Sequence, residues 1–362
     1  MSFDYFLGAN TPLGFVPTFS DLTQRAEHLV IIKGGPGCGK STAMRRIAEA
    51  CESWGMPVER IRCSSDPASL DGVYLPALDT LYVDGTAPHV IEPSYPGARE
   101  QIWNLGECWD QGMLEARRGE IEALSREISR AYTAAYRFLR ALGEVMEERR
   151  QQAMETADGE KLLRRAARIA ESRIPHRRGA AEGRVIRIFL DALTPAGPLS
   201  LGDFSDWTVT ELYDPEGLSG TVTGPVLSAA RAAGYTVYAA HDPLLPHGAP
   251  LHLVIPELHW VLLTSGGLFG AAHTGARRIR LDLMKKDGVD TAPGRERELR
   301  ELCRRLMELS SGSLGKAKRL HDELEALYRP AVDFRAVDRQ VMGQIDRLKE
   351  AFTDKTRDSQ WS

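Results

Sequence analysis

The sequence predicts an α/β protein built twice: a mostly parallel sheet flanked by helices, duplicated in tandem, each copy carrying a helical hairpin extension. Three observations predict it. An apolar run, a glycine-rich loop and an amphipathic helix follow one another within residues 29–54. The segment FLGANTPLG at 6–14 returns as FLDALTPAG at 189–197, with six of nine positions identical. Long stretches rich in Ala, Glu, Arg and Leu, at about 98–175 and 293–352, follow the two cores.

In chain order, Leu29-Val30-Ile31-Ile32 reads as a strand buried on both faces, as in a parallel sheet. After the loop, Met44, Ile47, Ala48 and Cys51 share one helical face while Arg45, Arg46 and Glu49 point away. Gly55 supplies the helix stop. Val58–Cys63 and Leu81–Asp84 read as further strands. In the first charged stretch, Ile121, Leu124, Ile128, Tyr132, Tyr136 and Leu139 recur at helical spacing, with a turn at 156–159 and a returning helix after it. The second stretch reads as two helices broken at SSGSLG, residues 310–315.

The nine-residue echo gains weight from order along the chain. Phe19-Ser20-Asp21 recurs as Phe204-Ser205-Asp206, and Ser65-Asp66-Pro67 has a counterpart in His241-Asp242-Pro243. Leu75-Pro76-Ala77-Leu78 matches Ile255-Pro256-Glu257-Leu258, with an apolar run after each. Two units follow, 1–182 and 183–362. Aligning Gly55 with Gly234 without gaps lays the glycine loop over YDPEGLSGT, placing Gly34 on Tyr213, Gly39 on Leu218 and Lys40 on Ser219. The second loop thereby lacks the lysine and most of the glycines.

The 362 residues include 46 Lys+Arg against 50 Asp+Glu, for a net charge of −4. That balance argues against a chain built to coat nucleic acid, though local basic patches remain, at Arg164, Arg165, Arg168, Arg173, Arg177 and Arg178 and at Arg277–Arg280. Solvated helix faces are the simpler reading of these patches. The five cysteines, Cys38, Cys51, Cys63, Cys108 and Cys303, include no C-x-x-C pair. Reduced, mostly buried thiols of a cytoplasmic protein are expected. The N-terminus does not read as a signal peptide, and no uninterrupted apolar run is long enough to span a membrane. His321 and Glu325 lie one turn apart with no third ligand in sight, so a structural pair is expected rather than a metal site.

The chemistry concentrates in Gly34–Ser41, which fits G-x-x-x-x-G-K-[ST]. Glycines let a backbone wrap a phosphate and aim several N–H groups inward, and the following helix adds its positive N-terminal dipole. Candidate nucleotide-binding residues are Gly34, Gly35, Pro36, Gly37, Cys38, Gly39, Lys40, Ser41 and Thr42. Lys40 suits β- and γ-phosphate oxygens, and the Ser41 hydroxyl suits Mg²⁺. A second magnesium carboxylate is needed. Asp84, ending an apolar run, is the first candidate, and Asp66, after the preceding strand, is the second or a substrate-binding group. His89 reads as a surface-loop histidine or one facing the nucleotide.

The loop resembles the Walker A motif of P-loop nucleoside triphosphatases, with every position matched. With Thr11-Pro12-Leu13-Gly14, Thr194-Pro195-Ala196-Gly197, the DGTAPH segment (84–89) and PGAREQIWNLGECWD (96–110), the chain resembles an uncharacterised group of bacterial ATPase-like proteins with two related P-loop halves. The resemblance implies an ATP-binding fold using ATP and Mg²⁺. The expected activity is a Mg-dependent ATPase with one active loop, Lys40 and Asp84 carrying catalysis. A small-molecule or nucleotide kinase, with residues 161–178 as a basic lid, and an ATP-gated scaffold are the alternatives. The helical extensions would serve a protein partner or a second copy. No guanine-selective N-K-x-D tetrad is present, and no Glu directly follows Asp84, so slow turnover is expected.

Overall fold

The computed structural model describes residues 3–269, 277–288 and 293–360. The first half contributes strands β1 (Asp4–Tyr5), β2 (Gly8–Thr11), β3 (Gly14–Pro17), β4 (His28–Lys33), β5 (Glu59–Arg62), β6 (Leu70–Leu75), β7 (Thr80–Asp84) and β8 (Glu100–Asn104), with helices α1 (Phe19–Arg25) and α2 (Lys40–Ser53). Helices α3 (Gln111–Ala116), α4 (Arg118–Thr156) and α5 (Gly159–Arg173) follow. The second half contributes β9 (Val185–Ile188), β10 (Asp191–Thr194), β11 (Gly197–Ser200), β12 (Thr208–Tyr213), α6 (Gly220–Ala232), β13 (Val237–Ala240), β14 (His252–Ile255), β15 (Trp260–Ser265) and β16 (Arg277–Arg280). Helices α7 (Pro293–Tyr328) and α8 (Phe334–Gln360) end the described chain.

Two six-stranded sheets repeat one topology. The first runs β1-β5-β6-β7-β4-β8 and the second β9-β13-β14-β15-β12-β16. Only β6 and β14 run against their neighbours; the other pairings are parallel. The equivalence extends to single turns. Asp79 and His259, between the paired strands, are the non-glycine residues with positive φ among the described residues, at 46° and 48°. The carbonyl of each accepts the first amide of the adjacent strand, His28 N–H on Asp79 and Thr208 N–H on His259, both at 3.0 Å. The Thr-Pro-x-Gly echo builds two identical hairpin turns. Thr11 Oγ1 donates to the Gly14 carbonyl and accepts from Leu13 N–H, and Thr194 Oγ1 does the same with Gly197 and Ala196. Gly14 and Gly197 sit at φ 100° and 112°, which a side chain would strain.

The boundary at 182/183 separates the strands of the two sheets, but the compact units cut across it. Unit 1 comprises Met1–Leu7, Leu22–Tyr132 and Leu314–Ser362; unit 2 comprises Gly8–Asp21 and Thr133–Ser313. The core of unit 1 joins Met44, Ile47, Ala48 and Cys51 of α2 to Val337, Val341 and Leu348 of α8. The core of unit 2 joins Val222, Val226 and Ala230 of α6 to Leu162, Ala166 and Ile169 of α5. Each half thus lends a helix to the other half's sheet. Helix α2 forms as the sequence predicts, with its four expected apolar residues buried and Gly55 ending it at φ 78°.

Two helical expectations change. Residues 100–104 are strand β8, so the first helical stretch starts at Gln111 instead of about 98; Trp103 on that strand is buried beneath α8, and its indole N–H bonds Gln340. The break expected at SSGSLG is absent, and α7 runs through it. Ser310 is fully buried with its hydroxyl on the Ala135 carbonyl, and Leu314 is buried. That burial outweighs the cost of about 1 kcal/mol each for Gly312 and Gly315 in a helix. The break falls instead at Arg329–Ala331, around Pro330, after which Asp333 accepts the Arg335 and Ala336 amides and starts α8.

Among the described residues no helix is long and apolar enough to cross a membrane. All five cysteines are free, four of them buried.

Candidate functional site

The loop Gly34–Gly39 leaves the C-terminal end of β4, a strand buried at Leu29–Ile32, and enters α2 at Lys40. Gly37 and Gly39 have φ of 68° and 92°, the left-handed region that favours glycine. Ala43 N–H bonds the Gly39 carbonyl at 2.8 Å, so the first helical turn closes directly behind the loop. The earlier N–H groups of that turn face the loop, the arrangement that attracts anions.

Lys40 Nζ folds back over this loop. It donates to the carbonyls of Gly34 (2.7 Å) and Gly35 (3.0 Å) and lies 3.6 Å from Asp84 Oδ2. Asp84 ends β7, which pairs in parallel with β4 so that Ile32 stands opposite Asp84. Thr86 fixes the carboxylate by donating both its amide (2.9 Å) and its hydroxyl (2.6 Å) to Oδ1, which leaves Oδ2 on the side of the lysine. Lys33 ties down the segment after Asp84 through the Gly85 and Ile91 carbonyls and the Glu92 carboxylate.

His89 is not on the surface, which corrects that reading of it. It is buried, with Nδ1 donating to the Asp84 carbonyl at 2.9 Å and Nε2 3.6 Å from Asp71. Burial disfavours its charged form, but Asp71 and the charge and carbonyl of Asp84 prevail and raise its pKa. Ser41 Oγ accepts the Leu70 amide at 2.9 Å, and Thr42 is exposed. Cys38 is buried, and burial pushes its thiol pKa up although Lys40 opposes the shift.

The outer side of the loop lies against the end of α7. A Cβ on Gly35 would come within 3.2 Å of Trp109 and Tyr328, and one on Gly37 within 3.0 Å of the Glu325 carbonyl. The two rings meet edge to face at 5.8 Å. Glycine at 35 and 37 therefore serves close helix approach as well as backbone freedom.

Asp66 is not brought to the lysine. It accepts from Ser69 Oγ at 3.0 Å and lies 3.4 Å from Lys318 Nζ of α7. Burial opposes the charge on Lys318, but Asp322 and Asp66 raise its pKa. His321 and Glu325 are 3.7 Å apart, Glu325 also pairs with Arg329, and no cluster of three metal-type ligands occurs among the described residues. Four arginines of the basic patches are engaged: Arg164 pairs with Glu160, Arg278 with Glu211 and Arg280 with Asp282, while Arg177 stacks on Tyr235.

In unit 2 the equivalent loop runs from Asp214 to Ser219. Strand register and the helix start place Asp214 on Gly34, Gly217 on Gly37, Gly220 on Lys40 and Thr264 on Asp84. This corrects the gap-free alignment by one position. The cause is α6, which has 13 residues where α2 has 14, so a residue is missing inside the helix rather than in the loop. The lysine is absent on either alignment, and the structure shows that the aspartate position is also changed, to a threonine whose hydroxyl bonds the Leu251 carbonyl.

Comparison with protein-family models, with curated proteins and with solved structures gave no match.

Thr86 could have been found from sequence, since Asp-Gly-Thr is a common side-chain-to-backbone turn. Tyr328 and Arg329, which lie against the loop, and Lys318, which lies against Asp66, could not, because they come from a segment far along the chain.

Proposed function

We propose that the loop Gly34–Ser41 binds the phosphates of ATP·Mg²⁺ and that the chain is a slow, Mg-dependent ATPase with one active loop. The observation that carries this reading is the meeting of Lys40 and Asp84 at the mouth of a glycine loop, on two adjacent parallel strands. Ligands of open α/β sheets bind at the carboxyl ends of such strands.

On this reading the loop amides and the α2 dipole hold the phosphates. Lys40 exchanges its two carbonyl partners for phosphate oxygens, so that its charge meets an ionised acceptor in place of neutral ones. Ser41 Oγ and the Asp84 carboxylate are hard oxygen donors of the type Mg²⁺ takes. The bound ion would neutralise charge developing on the transferred phosphoryl group. Thr86 holds the Asp84 carboxylate in place, and His89 holds its backbone. Gly85 follows Asp84, so the position where a water-activating glutamate often stands is empty of any side chain. The kinase alternative draws no support from Asp66, which pairs with Lys318, or from α5, whose apolar face is buried on α6.

The test is Asp84→Asn. Phosphate release from ATP should fall by at least ~30-fold and its dependence on Mg²⁺ should move to higher concentration. Unchanged release in a folded variant would remove Asp84 from the site.

A further inference from the structure

The second loop is lined by amides as the first is, yet it holds an anion of its own. Asp214 is 2% exposed. Its Oδ1 accepts the amides of Glu216 (3.2 Å) and Gly217 (3.0 Å), and its Oδ2 accepts the amide of Ser219 (2.6 Å). These N–H groups belong to the loop that enters α6, and Gly217, at φ 83°, keeps the left-handed conformation that Gly37 has at the equivalent place, at φ 68°. The residue equivalent to Asp214 in the first loop is Gly34, which has no side chain to offer.

We propose that Asp214 is a resident anion: its carboxylate fills the second loop in place of a phosphate and closes that unit to nucleotide. The surrounding charges agree. The cations near this loop are matched by acids, Arg149 with Glu296, Arg150 with Glu147 and Lys285 with Glu216, and Arg149 also donates to the Pro215 carbonyl. Among the described residues each of these three cations already faces an acid, whereas in the first loop Lys40 rests mainly on carbonyls. An entering phosphate would have to displace a carboxylate that already holds three amides without any loss of translational freedom. The loop therefore keeps the geometry of an anion cradle while acting as a fixed corner of the fold.

The phosphate analogy rests on the proposed role of the first loop, but the test does not. It is run with full-length protein in a Lys40→Ala background, using inorganic phosphate as the probe. Asp214→Gly in that background vacates the three amides. Phosphate should then raise the melting temperature saturably, by about 2 °C or more beyond its effect on Lys40→Ala alone, and sodium chloride at equal ionic strength should not. Asp214→Asn serves if the glycine variant does not fold. The amides of Gly217 and Ser219 should exchange faster in it than in the Lys40→Ala parent, and phosphate should not restore their protection, because the side chain still fills the loop. A folded glycine variant with no phosphate-specific shift would overturn the proposal. So would unchanged exchange at both amides in the asparagine variant, or an equal phosphate shift in the parent.

Discussion

Lys40→Ala should lower phosphate release from ATP by at least ~100-fold and leave the fold intact. The side chain's partners are two carbonyls of its own loop and one carboxylate, and the core of unit 1 does not use it. Its proposed task is electrostatic, and removal of one preorganised oxyanion-stabilising donor from an enzyme site costs about 2.7–4 kcal/mol of transition-state stabilisation. The variant also leaves Asp84 without its neighbouring cation, which weakens binding of the polyphosphate further. The measurement is steady-state phosphate release, with circular dichroism and thermal unfolding as controls. Release within a few-fold of the native rate would mean that the lysine does not touch the transferred group.

The second large effect lies far along the chain. Val341 of α8 is 1% exposed in the core that also contains Met44, Ile47 and Cys51 of α2. Val341→Asp places an unpaired carboxylate there, at an expected cost of about 3–5 kcal/mol. Because α2 begins at Lys40, loss of α8 docking should loosen the loop together with the helix. Urea unfolding should show a lower midpoint, and Lys349→Asp, at an exposed position of the same helix, should change it little. Equal effects of the two substitutions would mean that α8 does not hold α2 in solution.

The part of this arrangement that could be read from sequence is the part that is local. Leu29–Ile32, the glycines and the apolar face of α2 are contiguous, and each carries its own signal of strand, turn or helix. The duplication was legible because Thr11/Thr194 and Gly14/Gly197 must recur to build the same hairpin turn. The exchange of helices between the halves was not. The apolar faces of α5 and α8 are generic, and nothing in Leu162 or Val341 says which sheet they cover; nearness in sequence suggested the wrong neighbour for 314–352. The break assigned to SSGSLG failed for a related reason: Ser310 and Leu314 are buried, and tertiary packing overrode a weak local preference. The loop equivalence slipped by one because a deletion inside α6 cannot be seen without the strand register. That slip hid Asp214, which a gap-free alignment placed opposite Gly35 rather than Gly34.

Repetition also separates the roles of the two loops. The first keeps Lys40 and Asp84 together. The second has Gly220 and Thr264 at those positions and an aspartate across its amides. A fold used twice, with one loop proposed to take a phosphate and the other proposed to be filled by Asp214, accounts for both sets of contacts.

The most direct test of the account is calorimetric titration of the full-length native protein with ATP and Mg²⁺. One equivalent should bind per chain, and Lys40→Ala should abolish it. Two equivalents per chain, or binding that survives Lys40→Ala, would contradict the account, as would no binding by a folded sample.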